Sequence, residues 1–194
     1  MKLLLAAFPP ELGPMLENPP AGWIAVCTDV GALAAAVATT RLIRELLPSE
    51  VLFVGTCGTY DARVPVGSLI SVSEVISSSV EEQEGAAYRP SLERTRWTTQ
   101  GQLPFPAHSV VAPPAITATQ EGAKALSRAA PLEHLELSGV LEACRESDVP
   151  CRAALVVVNE VGPKAHEQWE ANHSAGSAQL IEALVKAGVF STES

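Results

Sequence analysis

Three short segments hold residue types and spacings that can do chemistry. Gly55-Thr56-Cys57-Gly58 directly follows the apolar run 51–54. Glycines in such a place let backbone N–H groups come close to a ligand, because no Cβ intervenes. The same tetrapeptide also serves as an ordinary turn at a strand end. It is neither a Walker loop, since no Gly-Lys-Ser/Thr follows, nor a GxGxxG fingerprint. Glu136 lies in His134-Leu135-Glu136-Leu137, where a carboxylate can complement a helix N-terminus. It can equally grip a pair of hydroxyl groups, since an ionised carboxylate accepts two hydrogen bonds at once. Asn159 follows six apolar residues and precedes Glu160-Val161-Gly162-Pro163. Its amide offers one donor face and one acceptor face, which suits the edge of a heterocyclic base; it can also open the Gly-Pro loop as an Asx turn. The histidines lack metal-ligand spacing: His166 and His173 are seven apart but have no supporting Cys or Asp, so no metal is expected.

The elements that must position these residues follow from periodicity. Residues 3–8 and 24–28 read as strands, and Val30, Leu33, Val37, Leu42 and Leu46 recur at helical spacing up to Pro48. Residues 51–54 form a buried strand running into the glycine segment, and 69–80 a longer strand. Residues 81–107 carry Gln, Arg and Trp97 with little periodicity and read as a loop or irregular arm. Strands follow at 109–112 and 116–119, then a helix near 122–129. Leu137, Val140, Leu141 and Cys144 share a helical face, with Val149-Pro150 as the stop. The apolar strand 153–158 delivers Asn159 at its carboxyl end, and a last helix over 171–187 buries Leu180, Leu184 and Val185. Strands alternating with helices, with no repeat and no linker, predict one α/β domain over 1–194 built on a mixed, mainly parallel sheet. Ligands in such sheets sit at the carboxyl ends of strands, so the three segments are expected to converge.

Composition narrows the function. The chain has 194 residues, 47% hydrophobic and 18% charged, which suits a folded soluble domain rather than disorder. Acidic residues outnumber basic ones 22 to 13, for a net charge of −9, so nucleic acid is not an expected partner. No run approaches the roughly 18 consecutive apolar residues of a membrane span. The apolar run 3–7 ends at Phe8-Pro9-Pro10, shorter than the roughly 7–15 residues of an export signal core, and reads as a first strand. Cys27, Cys57, Cys144 and Cys151 form no CxxC pair and lie in apolar segments. Buried free thiols and a reducing, cytoplasmic setting are expected.

The same motifs resemble those of the nucleoside phosphorylase and hydrolase superfamily, which includes methylthioadenosine/S-adenosylhomocysteine nucleosidase and purine nucleoside phosphorylase. Gly55-Thr56-Cys57-Gly58, with Asp61 and Val66-Gly67-Ser68, resembles the superfamily's Gly-Thr-Ala-Gly and Val-Gly-Asp run. Leu135-Glu136 through Cys144, Val149-Pro150 and Asn159 fits its Met-Glu helix and terminal strand without a gap. Within the superfamily the pattern most resembles futalosine hydrolase, which carries Asn rather than Asp at the base position, then Val, Pro and Trp. Here those residues are Asn159, Val161, Pro163 and Trp169. The likeness spans residues 1–15, 24–80 and 109–190 and leaves 81–107 unmatched.

The resemblance implies a three-layer α/β/α sandwich and a cofactor-free N-ribosyl hydrolase acting on a 6-oxopurine nucleoside, futalosine-like or inosine-like. Glu136 then binds the ribose 2′- and 3′-hydroxyls with Leu135 packed beneath the sugar, and Asn159 faces the base. Glu11, in Pro9-Pro10-Glu11-Leu12, resembles the water-activating glutamate; read alone, it is a helix-start acid. Gly55, Thr56, Cys57 and Gly58 border the substrate. Asp29 occupies the loop near the nucleophile, where it would repel phosphate and favour water. Trp169, like Trp23 and Trp97, can stack on a base. Arm 81–107 is the expected lining of the ribose 5′ region. Cys57 and Thr59 depart from smaller residues, Leu135 from a methionine, and the Asp29 loop lacks a second glycine. A phosphate-using phosphorylase, with Arg41, Arg44 or Arg63 as phosphate contacts, and an inactive nucleoside-binding relative are therefore the alternatives. Superfamily members are usually oligomeric, so a homo-oligomer whose neighbouring subunits complete the pocket is expected.

Overall fold

The computed structural model describes residues 1–101 and 103–190. In chain order it runs β1 (Lys2–Ala6), α1 (Pro9–Leu12), a 3-10 turn (Gly13–Leu16), β2 (Trp23–Cys27), α2 (Ala32–Leu46), β3 (Val51–Thr59) and β4 (Leu69–Ser77). Then come α3 (Val80–Gln83), β5 (Arg96–Thr98), β6 (Ala107–Ala112), α4 (Gln120–Leu126), β7 (Leu132–Glu133), α5 (Leu137–Glu146), β8 (Cys151–Glu160) and α6 (Ala165–Lys186). The strands join in one mixed sheet of order β2-β1-β3-β7-β6-β4-β5, and β8 pairs with both β3 and β4. Strands β3, β7, β6, β4 and β8 therefore pair in a closed ring, with β1 and β2 extending from β3.

Alternation along the strands sorts the apolar residues onto two faces. Leu3, Leu5, Phe53 and Leu155 pack with Ala35, Leu42 and Ile43 of α2 and Leu137, Val140 and Leu141 of α5. Leu4, Leu52, Val54 and Val156 pack with Leu12 of α1 and Leu180, Ile181 and Leu184 of α6. Helices cover both faces, which is why the central strands are apolar throughout rather than alternating. The α/β/α sandwich with a mixed sheet is the architecture expected.

Several local expectations are corrected. Residues 55–58 are not a loop but part of β3, because β8 continues to pair with them, from Gly55 opposite Leu155 to Gly58 opposite Asn159. Residues 116–119 are not a strand: Pro113-Pro114 just upstream removes two ladder donors, and Thr117 N–H donates to the Glu133 carboxylate instead. Arm 81–107 is not wholly irregular. It holds most of α3, capped by a reciprocal Ser79–Glu82 capping box, and β5, which pairs antiparallel with β4. Helix α5 stops at Glu146, short of Val149-Pro150. Helix α6 begins six residues before the periodic stretch, since its first turns are mostly polar and bury only Ala165. Val185 is 52% exposed rather than buried, and Val30, Leu33 and Val37 face outward while Leu42 faces the core.

Helices α2 and α5 touch backbone to backbone at Gly139, where a Cβ would fall 1.9 Å from the Ala32 carbonyl oxygen. Gly139→Ala should therefore lower the unfolding free energy by about 1–3 kcal/mol through overpacking. An exposed helical Gly→Ala change would instead gain up to about 1 kcal/mol. Urea denaturation distinguishes the two signs.

Candidate active site

Strands β1, β3 and β8 run parallel, so their carboxyl ends share one rim. A cavity of about 360 Å³ opens there, lined by residues that include Glu11, Thr56, Glu136, Asn159 and Trp169. That volume falls in the usual range for a small-molecule site.

Glu11 enters from α1. Phe8 leaves the strand extended, Pro9 occupies the first helical position, and Gly13 ends the turn. The carboxylate is buried, 3% exposed. Its Oε1 accepts from the Thr56 N–H at 2.8 Å and the Thr56 hydroxyl at 2.9 Å. Its Oε2 accepts from the Ala7 N–H at 3.1 Å. Burial outweighs these hydrogen bonds and, with the nearby Glu136 charge, pushes its pKa up to about 7. A carboxyl group poised there can take a proton from water near neutral pH. Thr56 links the site outward, because its hydroxyl also accepts from the Trp169 indole N–H at 3.3 Å. Trp169 stacks on His173 with centroids 4.3 Å apart.

Glu136 sits just before α5, and its side chain makes no capping bond. It reaches across instead, where Oε1 accepts from the Gly31 N–H at 2.9 Å. The plain capping alternative is thus set aside, and Oε2 remains turned to the cavity wall beside His134 Nε2, 3.6 Å away.

Asn159 is placed by an irregularity. The β3–β8 register shifts after Cys57–Val157, so that Gly58 faces Asn159 rather than Val158. Such a bulge re-aims the side chains that follow it. At Gly58 a Cβ would lie 2.9 Å from Asn159 Nδ2 and 2.7 Å from Val161 Cγ2, so only glycine leaves the amide its position. One amide hydrogen is donated to the Glu160 carbonyl at 3.1 Å, which leaves the other N–H and the amide oxygen without a protein partner among the described residues.

Of the other expected substrate contacts, Leu135, Cys57 and Gly58 border the cavity. Burial, with the Glu11 charge, pushes the Cys57 thiol well up, so it stays a neutral wall. Gly55 lies behind the lining: where its Cβ would be, His134 Nε2 and Glu11 Oε1 come within 3.2 and 3.4 Å. Asp29 is corrected. It is exposed, with φ 67°, and outside the cavity lining, because this left-handed turn presents Val30 to the cavity and Gly31 N–H to Glu136. Trp23 packs edge-on against Phe190 in the core, and Trp97 donates its indole N–H to Glu142. Neither faces the site, and none of the described residues of arm 81–107 lines the cavity.

Sequence reasoning missed Phe8, Ile116, Glu133 and His134, which also line it. Glu133 accepts from the Thr117 N–H at 3.1 Å, the Thr117 hydroxyl at 2.6 Å and the Tyr60 hydroxyl, which ties the Ile116 segment to β7. The available signal was a pair of polar residues, Glu133 and His134, set among Leu132, Leu135 and Leu137. Among the described residues, no group of three or more His, Cys, Asp or Glu is placed to hold a metal ion.

No curated protein matches the chain. Among solved structures, 5′-methylthioadenosine/S-adenosylhomocysteine nucleosidase of Helicobacter pylori superposes with a TM-score of 0.81 at 15% identity, covering 95% of this chain and 97% of that one. A futalosine hydrolase mutant of the same organism gives 0.81 at 16% identity, covering 95% and 98%. The nucleosidase of Neisseria meningitidis, in complex with methylthio-immucillin-A, gives 0.78 at 16%, covering 95% and 98%. At identities this low, the superpositions show a shared fold alone. The profile of the phosphorylase superfamily matches residues 22–136, more than half of the sequence, and the chain belongs to that superfamily.

Proposed function

We propose that the protein is an N-ribosyl hydrolase that cleaves a purine nucleoside into free base and a ribosyl product, with the whole chain acting as one unit. The observation that carries the reading is the convergence of Glu11, Glu136 and Asn159 on one cavity. Glu136 Oε2 receives a ribose hydroxyl, Asn159 meets the base edge, and Glu11 accepts a proton from the attacking water as C1′ gains oxocarbenium character. Nucleosidases of the same fold have been captured with immucillin nucleoside analogues, which supports a nucleoside ligand here.

Water is favoured over phosphate as the nucleophile. Among the described residues no Lys or Arg lines the cavity. Arg41 and Arg44 border an open groove on α2 instead, and Arg63 is exposed and paired with Asp61. Asn159 favours a 6-oxopurine such as hypoxanthine. Its amide N–H can donate to N7 or O6, stabilising negative charge on the leaving base where an Asp would protonate it. Likeness to futalosine hydrolase supports a futalosine-like nucleoside alongside an inosine-like one. A second copy of the chain completes the site in this reading. Val30, Leu33 and Val37 form an exposed apolar stripe on and just before α2, and Val30 and Ile116 line the cavity while 68% and 65% exposed. Free thiols at all four cysteines fit a reducing, cytoplasmic setting, and no described helix is long and apolar enough to cross a membrane.

Incubation with inosine or futalosine should release hypoxanthine without phosphate. A strict phosphate requirement would make it a phosphorylase, and nucleoside binding without base release an inactive relative. Glu11 must be ionised to act as base, so kcat/KM should rise with pH through about 7 and level off above it. Glu11→Gln should lower kcat by about 10²–10⁴-fold with little change in binding. Asn159→Asp should turn over 6-oxopurine nucleosides more slowly than wild type; full-rate turnover would refute the role given to the amide. Leu33→Asp with Val37→Asp should shift sedimentation toward a monomer and reduce turnover together.

A further inference from the structure

His134 is a buried imidazole, 3% exposed, that the proposed reaction has not yet used. Its main-chain N–H donates to the Val111 carbonyl at 3.0 Å. Its Nδ1 accepts from the Leu137 N–H at 3.2 Å. An imidazole that accepts at Nδ1 carries its proton on Nε2. Burial also lowers its pKa, against the opposing pull of the Glu136 charge, and so favours the neutral ring. Among the described residues Nε2–H has no hydrogen-bond acceptor. Glu136 Oε2 is 3.6 Å away, too far for a good hydrogen bond. Both residues line the cavity, and Glu136 has committed only Oε1, to the Gly31 N–H.

A donor and an acceptor 3.6 Å apart can be bridged by a group that accepts from one and donates to the other. A hydroxyl does this, with its oxygen about 2.8 Å from each. Resting on the nucleoside reading above, we propose that His134 is a specificity-determining residue that donates Nε2–H to the ribose 2′-hydroxyl, which in turn donates to Glu136 Oε2. The 2′ position is selected by the neighbouring base. Glu11 Oε1 and His134 Nε2 both lie within 3.4 Å of the point where a Gly55 Cβ would sit, so the two groups are neighbours, and water activated by Glu11 must reach C1′. The 2′-hydroxyl is the one carried by the carbon next to C1′. No covalent bond changes in this contact. A hydrogen bond from the 2′-hydroxyl to a carboxylate strengthens as positive charge grows on the sugar, and a neutral imidazole adds no cation beside it.

The test compares kcat/KM for inosine and 2′-deoxyinosine in the wild type, in His134→Phe, which keeps a planar ring without a donor, and in His134→Gln, which keeps an N–H. Wild type should prefer the ribonucleoside. His134→Phe also removes the acceptor of the Leu137 N–H and so lowers activity toward both substrates, but it should lose about tenfold of the preference itself, and His134→Gln should restore much of it. A ratio unchanged in His134→Phe, or lost equally in both variants, overturns the proposal. In case the variants fail to fold, ¹H–¹⁵N spectra of histidine-labelled wild type provide a second readout. The Nε2–H resonance should move on adding a carbon-linked inosine analogue and not with its 2′-deoxy counterpart; equal responses overturn the proposal. A wild-type protein that neither cleaves nor binds any of these compounds instead removes the nucleosidase reading and this contact with it.

Discussion

A carboxylate buried among apolar strands is costly unless its charge is matched by hydrogen bonds. Glu11 is such a group, and its environment shapes this end of the molecule. Thr56 supplies two donors from β3, and Ala7 supplies one from the end of β1. Meeting that need holds α1 against the central strand, and the same threonine receives the indole of Trp169 from α6. The hydrogen bonds do not fully offset the burial, which is why the group holds its proton up to about pH 7. What makes Glu11 expensive for folding is the property that suits it to accept a proton from water.

The remaining groups are arranged around β3 by backbone geometry. Because β7 pairs with one edge of β3 and β8 with the other, Gly58 has Glu133 on one side and Asn159 on the other. The register shift beyond Cys57 turns Asn159 into place, and the missing Cβ of Gly58 leaves room for it. Glu136 is set differently, by the start of α5 and by a single N–H from Gly31 that lies 105 positions earlier in the chain. The close α2–α5 contact at Gly139 keeps that donor and the carboxylate in reach.

Much of this was legible in the linear pattern. Runs such as Leu3 to Ala7 and Val51 to Val54 read as buried strands, and the Ala-rich stretch after Val30 as a helix. Glu136 and Asn159 stood out as polar residues closing apolar segments. Other features were not legible, for reasons that are physical. The glycine segment looked like a loop because its strand character comes from pairing with β8, about 100 residues later. The first turns of α6 lacked an apolar stripe because they lie at the cavity mouth, where few of their residues are buried. Asp29 was drawn into the site by its place in the chain, whereas a left-handed turn sends its side chain outward and presents the next two residues.

The amino-acid sequence by itself determined which segments must be buried, which must turn, and which few polar residues were placed at the ends of apolar runs. Those properties depend on solvation and local backbone preference, and both act over a few neighbouring residues. Tertiary structure alone decided that carboxylates from α1 and the start of α5 and an amide from β8 meet in one hollow. It also decided that Glu11 titrates near neutrality and that His134 turns its Nε2–H to the cavity. Each of those outcomes depends on groups brought together from distant parts of the chain, because dielectric surroundings and hydrogen-bond partners exist only once the sheet has closed around them.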